Sequence, residues 1–199
     1  MLFKILRYLI HLGGVIPLLW LIYAINFNLV SSFGTDPIKE IIHFLGYTAL
    51  LFLLILFSFR IITQCLRQPI LLPLHRSLGL WALFWLSLHI VGYLALELGF
   101  DFQLFISEIV SRTYLQIGVI AMILLVSIAL SSIPYIKRRL GKRWFSLHQL
   151  ALLVVVLAAI HYYLSLKAYN IDSLLFLALC GVFVLWKTFA RRVLAWCYR

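Results

Sequence analysis

The chain has 199 residues, of which 65% are hydrophobic and 12% charged, with a net charge of +11 and a mean hydropathy of +1.09. Soluble domains carry about 25% charged residues, so too few are present here to cover a water-facing surface, and a soluble globular enzyme is excluded. The positive charge does not mark a nucleic-acid binder either, because it is sorted along the chain by membrane side.

A helix needs about 20 apolar residues to cross the hydrocarbon core of a bilayer. Runs of that kind predict helices near 8–25, 38–59, 74–97, 114–133, 144–164 and 173–190. Lys4 and Arg7 before the first run mimic a signal peptide. No small-residue cleavage site precedes Asn26, so the run is read as a retained first helix. Asp36 is placed to cap the second helix, with Pro37 at its first position, the favoured order for both. Pro73 opens the third helix in the same manner, and Pro134 closes the fourth. The connections are short and no internal repeat stands out. The expected fold is an all-α integral membrane protein, one domain over residues 1–199, built as a bundle of six transmembrane helices.

Orientation follows from the 17 lysines and arginines. Lys4 and Arg7 precede helix 1, and Arg60, Arg67 and Arg76 join helices 2 and 3. Lys137, Arg138, Arg139, Lys142 and Arg143 join helices 4 and 5, and Lys187, Arg191, Arg192 and Arg199 end the chain. Only Lys39, Arg112 and Lys167 fall on the other side, together with all six acids: Asp36, Glu40, Glu97, Asp101, Glu108 and Asp172. The positive-inside rule then places both termini in the cytoplasm. The acidic outer rim is either simply solvated or a surface that steers an external partner.

Cys65, Cys180 and Cys197 form no Cys-x-x-Cys pair, which excludes covalent c-type heme attachment and argues against a disulfide framework. They read as small apolar fillers.

Histidines inside a membrane are costly and point to function. Neutral imidazole is an axial ligand for heme iron, and bundles hold cofactors between facing helices. Helices 3 and 5 both run from inside to outside. His75 and His148 lie near their inner starts, while His89 and His161 lie in the outer half. The expected pairs are His89 with His161 and His75 with His148, at levels roughly 20 Å apart along the helices. Helical phase complicates the second pair. A separation of 14 residues keeps His75 and His89 within about 40° of one face, whereas 13 residues turn His148 about 140° from His161. The inner site is therefore no translated copy of the outer one unless helix 5 is distorted or its ligands reach sideways. His11 and His43 are candidates for quinone binding, proton transfer or an alternative ligand, or for bonding a neighbouring helix.

Several segments resemble the heme-binding membrane subunits of periplasmic protein-methionine-sulfoxide reductase systems (the MsrQ, or YedZ, type). Asp36-Pro37-Ile38-Lys39-Glu40, His43-Phe44 and Thr48-Ala49-Leu50 resemble the entry to helix 2 of that family. Leu78-Gly79-Leu80-Trp81, Leu88-His89, Tyr93 and Leu96-Glu97-Leu98 resemble its helix 3. Leu140-Gly141-Lys142-Arg143-Trp144, Leu147-His148 and His161-Tyr162 resemble its helix 5. His11-Leu12, Pro17 and Ala24-Ile25-Asn26 fit helix 1.

The resemblance implies a ferric-reductase-like transmembrane domain in the bacterial inner membrane. It implies one or two hemes b on His89, His148 and His161, whereas His75 is a ligand candidate from its depth in helix 3 alone. Electrons would come from membrane quinone and pass to a periplasmic molybdopterin-containing subunit that repairs methionine sulfoxide. Flavin mononucleotide is implied as a further cofactor by the likeness alone, since the sequence carries no flavin-binding motif. A cytoplasmic flavin and nicotinamide domain, found in the larger reductases of this superfamily, is not expected after helix 6. The alternatives are a stand-alone ferric or quinone reductase using the same hemes, or a small transporter. A transporter is disfavoured by the lack of paired Gly/Pro interruptions near the midplane, Gly13-Gly14 being the only tight pair.

Overall fold

A computed structural model describes residues 2–166 and 170–197. Lys167 and Arg199 lie outside the described residues, as do the side chains of Arg191, Arg192 and Cys197. The described chain is helical throughout. Six stretches are long and apolar enough to cross a membrane: Phe3–Phe27, Pro37–Cys65, Leu74–Glu97, Thr113–Ser131, Arg143–Ser165 and Ile171–Ala190.

In chain order the helices are α1 (Leu2–Phe27), α2 (Leu29–Phe33), α3 (Pro37–Cys65), α4 (Leu74–Gly92), α5 (Phe102–Ser111), α6 (Thr113–Ser131), α7 (Pro134–Leu140), α8 (Arg143–Gln149), α9 (Ala151–Ser165) and α10 (Ile171–Cys197). Asp36 accepts a hydrogen bond from the Lys39 amide, with Pro37 in the first turn, so α3 starts as its sequence specifies. Pro134 ends the apolar run after Ser131 and also opens the short basic helix α7. The fifth span is not one helix. It breaks at Leu150, whose amide turns back to the Leu147 carbonyl at 3.1 Å, separating α8 with His148 from α9 with His161.

α3 is the central element and the most buried of the six spans. Its Leu45, Leu50, Leu53, Leu54 and Phe57 meet Leu78, Ala82 and Trp85 of α4, Val154, Val155 and Ala159 of α9, and Cys180 and Phe183 of α10. Apolar residues gain little by leaving lipid for protein, so such a core is held by close packing and interhelical hydrogen bonds. The Trp186 indole N–H donates to Gln64 Oε1 at 2.9 Å and ties α10 to the end of α3. α1 lies at the periphery, with Tyr8, Leu9, Leu12, Ile16 and Leu19 exposed, the pattern expected of a lipid-facing surface. It approaches α4 where Gly14 meets the face of Trp81.

α4 does not stop cleanly. Its last turn widens into a π-helical segment, Tyr93–Glu97, closed by the Leu98 amide bonding the Tyr93 carbonyl at 3.2 Å. Gly99 and Phe100 then both take positive φ, turning the chain sharply into α5. α5 lies in what the sequence suggested was a plain connection. Asp101 caps it through the Leu104 amide at 2.9 Å. Its Phe102, Ile106 and Val110, one turn apart, are exposed, while Phe105, Glu108 and Ile109 face inward to the cavity described next.

Candidate functional site

A cavity of about 650 Å³ runs between α3, α4, α6 and α9, a size typical of sites for large ligands and cofactors. Its deep part is apolar, with Leu50, Leu53, Leu86, Met122, Leu125 and Val154. It reaches the surface where α3 and α6 begin, among Asp36, Lys39, Glu97, Glu108 and Arg112. Arg112 is ion-paired with Glu108 and hydrogen-bonds Tyr114 at that mouth.

His89 from α4 and His161 from α9 enter this cavity from opposite walls, with ring centres 6.4 Å apart and planes at 72°. Each ring is held in the same way. Nδ1 of His89 lies 2.9 Å from the Ile42 carbonyl of α3, and Nδ1 of His161 lies 2.7 Å from the Tyr114 carbonyl of α6. A carbonyl can only accept, so Nδ1 carries the proton and the neutral ring keeps its free lone pair on Nε2. That is the arrangement typical of metal-binding histidines, whose second nitrogen donates to a carbonyl or carboxylate.

Both imidazoles also rest on a glycine. A Cβ at Gly46 would lie 3.0 Å from Cε1 and Nδ1 of His89, and one at Gly118 would lie 2.8 Å from Nδ1 of His161. The two hydrogen bonds each span 47 positions, and each glycine sits one helical turn after its carbonyl. The constant shift that carries His89 to His161 also carries Ile42 to Tyr114 and Gly46 to Gly118. It relates the cavity-lining Ala49, Leu50, Leu53, Leu86 and Tyr93 to the cavity-lining Ala121, Met122, Leu125, Ala158 and Ser165. α3 with α4 and α6 with α9, the two most extensively packed helix pairs, are thus structural repeats facing one another. Equivalent residues that meet each other imply an approximate two-fold relation. The sequence alone did not reveal this repeat.

The chemistry of the pair can be bounded. A metal–imidazole bond of about 2.0 Å, with the ring centre about 1.1 Å beyond the nitrogen, would set two imidazoles on opposite sides of one ion with centres about 6.2 Å apart. The observed spacing fits. Among the described residues no group of three or more His, Cys, Asp or Glu could hold a bare metal ion. Two facing histidines in a large cavity with an apolar depth would suit an iron whose other ligands come from a macrocycle.

The remaining histidines fall elsewhere. His43 lines the same cavity from α3, nearer its mouth. His11 accepts a hydrogen bond from the Trp81 indole at 3.2 Å and so joins α1 to α4. At the opposite end, His75 bonds the Leu72 carbonyl through Nδ1 at 3.0 Å and packs on Phe59, and its buried Nε2 has no hydrogen-bond partner among the described residues. His148 Nε2 lies 3.3 Å from the Ser132 hydroxyl, beside Trp144. The break at Leu150 lies between His148 and His161, so the two histidines belong to separate helical segments.

The family model described as "Ferric reductase like transmembrane component" matches residues 44–159. The protein-methionine-sulfoxide reductase heme-binding subunit MsrQ of Pasteurella multocida (strain Pm70) is 47% identical over 176 residues, covering 88% of this chain and 85% of that protein. The MsrQ subunit of Salmonella paratyphi B is 42% identical over 175 residues, covering 87% of this chain and 86% of that protein. No solved structure gives a significant match. The chain belongs to the ferric-reductase-like transmembrane family, in its MsrQ branch.

Proposed function

We propose that this protein is the b-type cytochrome subunit of a two-component reductase, passing electrons from membrane quinone across the inner membrane to a periplasmic molybdopterin-containing enzyme that repairs methionine sulfoxide. The observation that carries the reading is the His89–His161 pair, 6.4 Å apart in one cavity, each with Nδ1 bonded to a backbone carbonyl. The names of the relatives, which state heme binding and methionine-sulfoxide reduction, support the same reading.

In this reading His89 and His161 would hold the outer heme, and that group, when bound, would supply a one-electron carrier. Ile42 and Tyr114 fix the ligand tautomers, and the apolar walls exclude water. His75 and His148 serve an inner site on the donor side; the unpartnered Nε2 of His75 supports that assignment. The basic ends face the cytoplasm with both termini, and the mouth with Glu97 and Glu108 faces the periplasm. The catalytic reduction belongs to the partner, and this chain delivers electrons to it.

One assay tests the delivery step. The reduced, heme-loaded protein is mixed with the purified periplasmic reductase or with a ferric chelate. Faster oxidation by the reductase is expected; faster oxidation by the chelate alone would favour a stand-alone ferric reductase. In the same assay the triple variant E97Q/D101N/E108Q should react several-fold more slowly at low salt and converge with wild type as salt screens the rim. Asn at 101 keeps the α5 cap, so a lower rate would report charge. Identical rates at low salt would remove the docking role of these acids.

A further inference from the structure

Two observations around the outer histidines exceed what ligation alone requires. One is the repeat: each histidine has a carbonyl from the other helix of its own pair and a glycine one turn beyond that carbonyl. The other is the angle of 72° between the ring planes. An imidazole on an iron can rotate about its metal–nitrogen bond, so a fixed angle needs a device on the protein side. The carbonyl holds the Nδ1 edge of each ring, and the missing Cβ leaves room for the ring in that position.

We infer that the outer site is a duplicated half-site in which Gly46 and Gly118 are positioning residues that hold the two axial imidazoles crossed over a single iron. The inference rests on the heme reading above and adds to it a determinant of electronic structure. Imidazole π-orbitals interact with the iron d orbitals in a direction set by the ring plane. Parallel planes both act on one d orbital and split the pair widely, which gives a rhombic low-spin ferric signal in electron paramagnetic resonance. Crossed planes act on the two orbitals almost equally, leave them nearly degenerate and give a highly anisotropic signal with one very large g value.

The two seats are equivalent in design but not in tightness. A Cβ at position 118 lands 2.8 Å from a ring nitrogen, a separation that forces the ring or the helix to move, whereas at position 46 it lands at 3.0 Å. Alanine at 118 should therefore turn its histidine further than alanine at 46. Gly181, in the α10 span, has nothing within 4 Å of the place a Cβ would take and serves as the control.

The test is electron paramagnetic resonance of the oxidised, heme-loaded full chain, with heme content and midpoint potential measured on the same samples. Subtracting the H89A spectrum isolates the outer heme from any inner one. Wild type and G181A should show the highly anisotropic outer signal. G118A should lose it several-fold, replaced by a rhombic or high-spin species with a shifted potential, and G46A should move the same way by less. A rhombic outer signal in wild type would overturn the inference, as would G118A and G46A that both keep the wild-type signal and potential. If G118A fails to accumulate, wild type and G46A decide by the same criteria. Wild-type protein without any heme would instead overturn the reading on which this one rests.

Discussion

Replacing either His89 or His161 with alanine is expected to abolish the outer heme and bring electron delivery to the partner down to background. The two rings approach from separate helices and are seated by separate repeats. Each half-site is therefore insufficient without the other, and the double variant should lose no more heme than the single ones. His43 lines the same cavity without making the carbonyl bond that prepares a ligand, so H43A should retain the outer heme. Heme content by pyridine hemochrome and the Soret band of the purified variants report the outcome. Unaltered spectra in both H89A and H161A would refute the pairing.

The second large effect concerns assembly of the bundle. Alanine at Gly14 would drive a Cβ into Cδ2 and Cε2 of Trp81. The indole cannot easily yield, because its N–H is bonded to His11 and its face is stacked on Phe52 at 6.2 Å. Small residues at such crossings let membrane helices come together, and overpacking costs about 1–3 kcal/mol or more. G14A should lower the unfolding temperature in detergent by several degrees while heme content is kept, since the seats lie on α3, α4, α6 and α9. Gly13, with nothing within 4 Å of its Cβ direction, provides the neighbouring comparison: G13A should unfold close to wild type. Equal unfolding temperatures for the two variants would contradict the packing role of Gly14.

What could be read in advance divides along physical lines. The Asp36-Pro37 start of α3 was legible because capping is local chemistry. The meeting of His89 and His161 was legible because alternating helix direction and residue depth suffice to bring them to one level. The repeat was not. Gly46 and Gly118, Ala49 and Ala121, Leu53 and Leu125, and His89 and His161 are identical, but Ile42 corresponds to Tyr114 and Tyr93 to Ser165. The carbonyl bond uses the backbone, so positions 42 and 114 can differ without loss of function. Such a repeat is visible only once the hydrogen bonds are seen.

The break at Leu150 was illegible for another reason. Leu147-His148-Gln149-Leu150-Ala151 contains neither Gly nor Pro, so no local breaker marks the interruption in the sequence. α5 was missed because a search for runs of about 20 apolar residues passes over a ten-residue helix. Its Asp101 cap and its one-turn spacing of Phe102, Ile106 and Val110 were nevertheless present in the sequence.

The central claim is that this bundle holds heme between paired histidines, and the absorption spectrum of the purified protein tests it most directly. Protein made in heme-replete cells should show a Soret band that sharpens and shifts on reduction, with the resolved visible bands of a six-coordinate b-type cytochrome. Purified, folded protein with no Soret absorbance would contradict it.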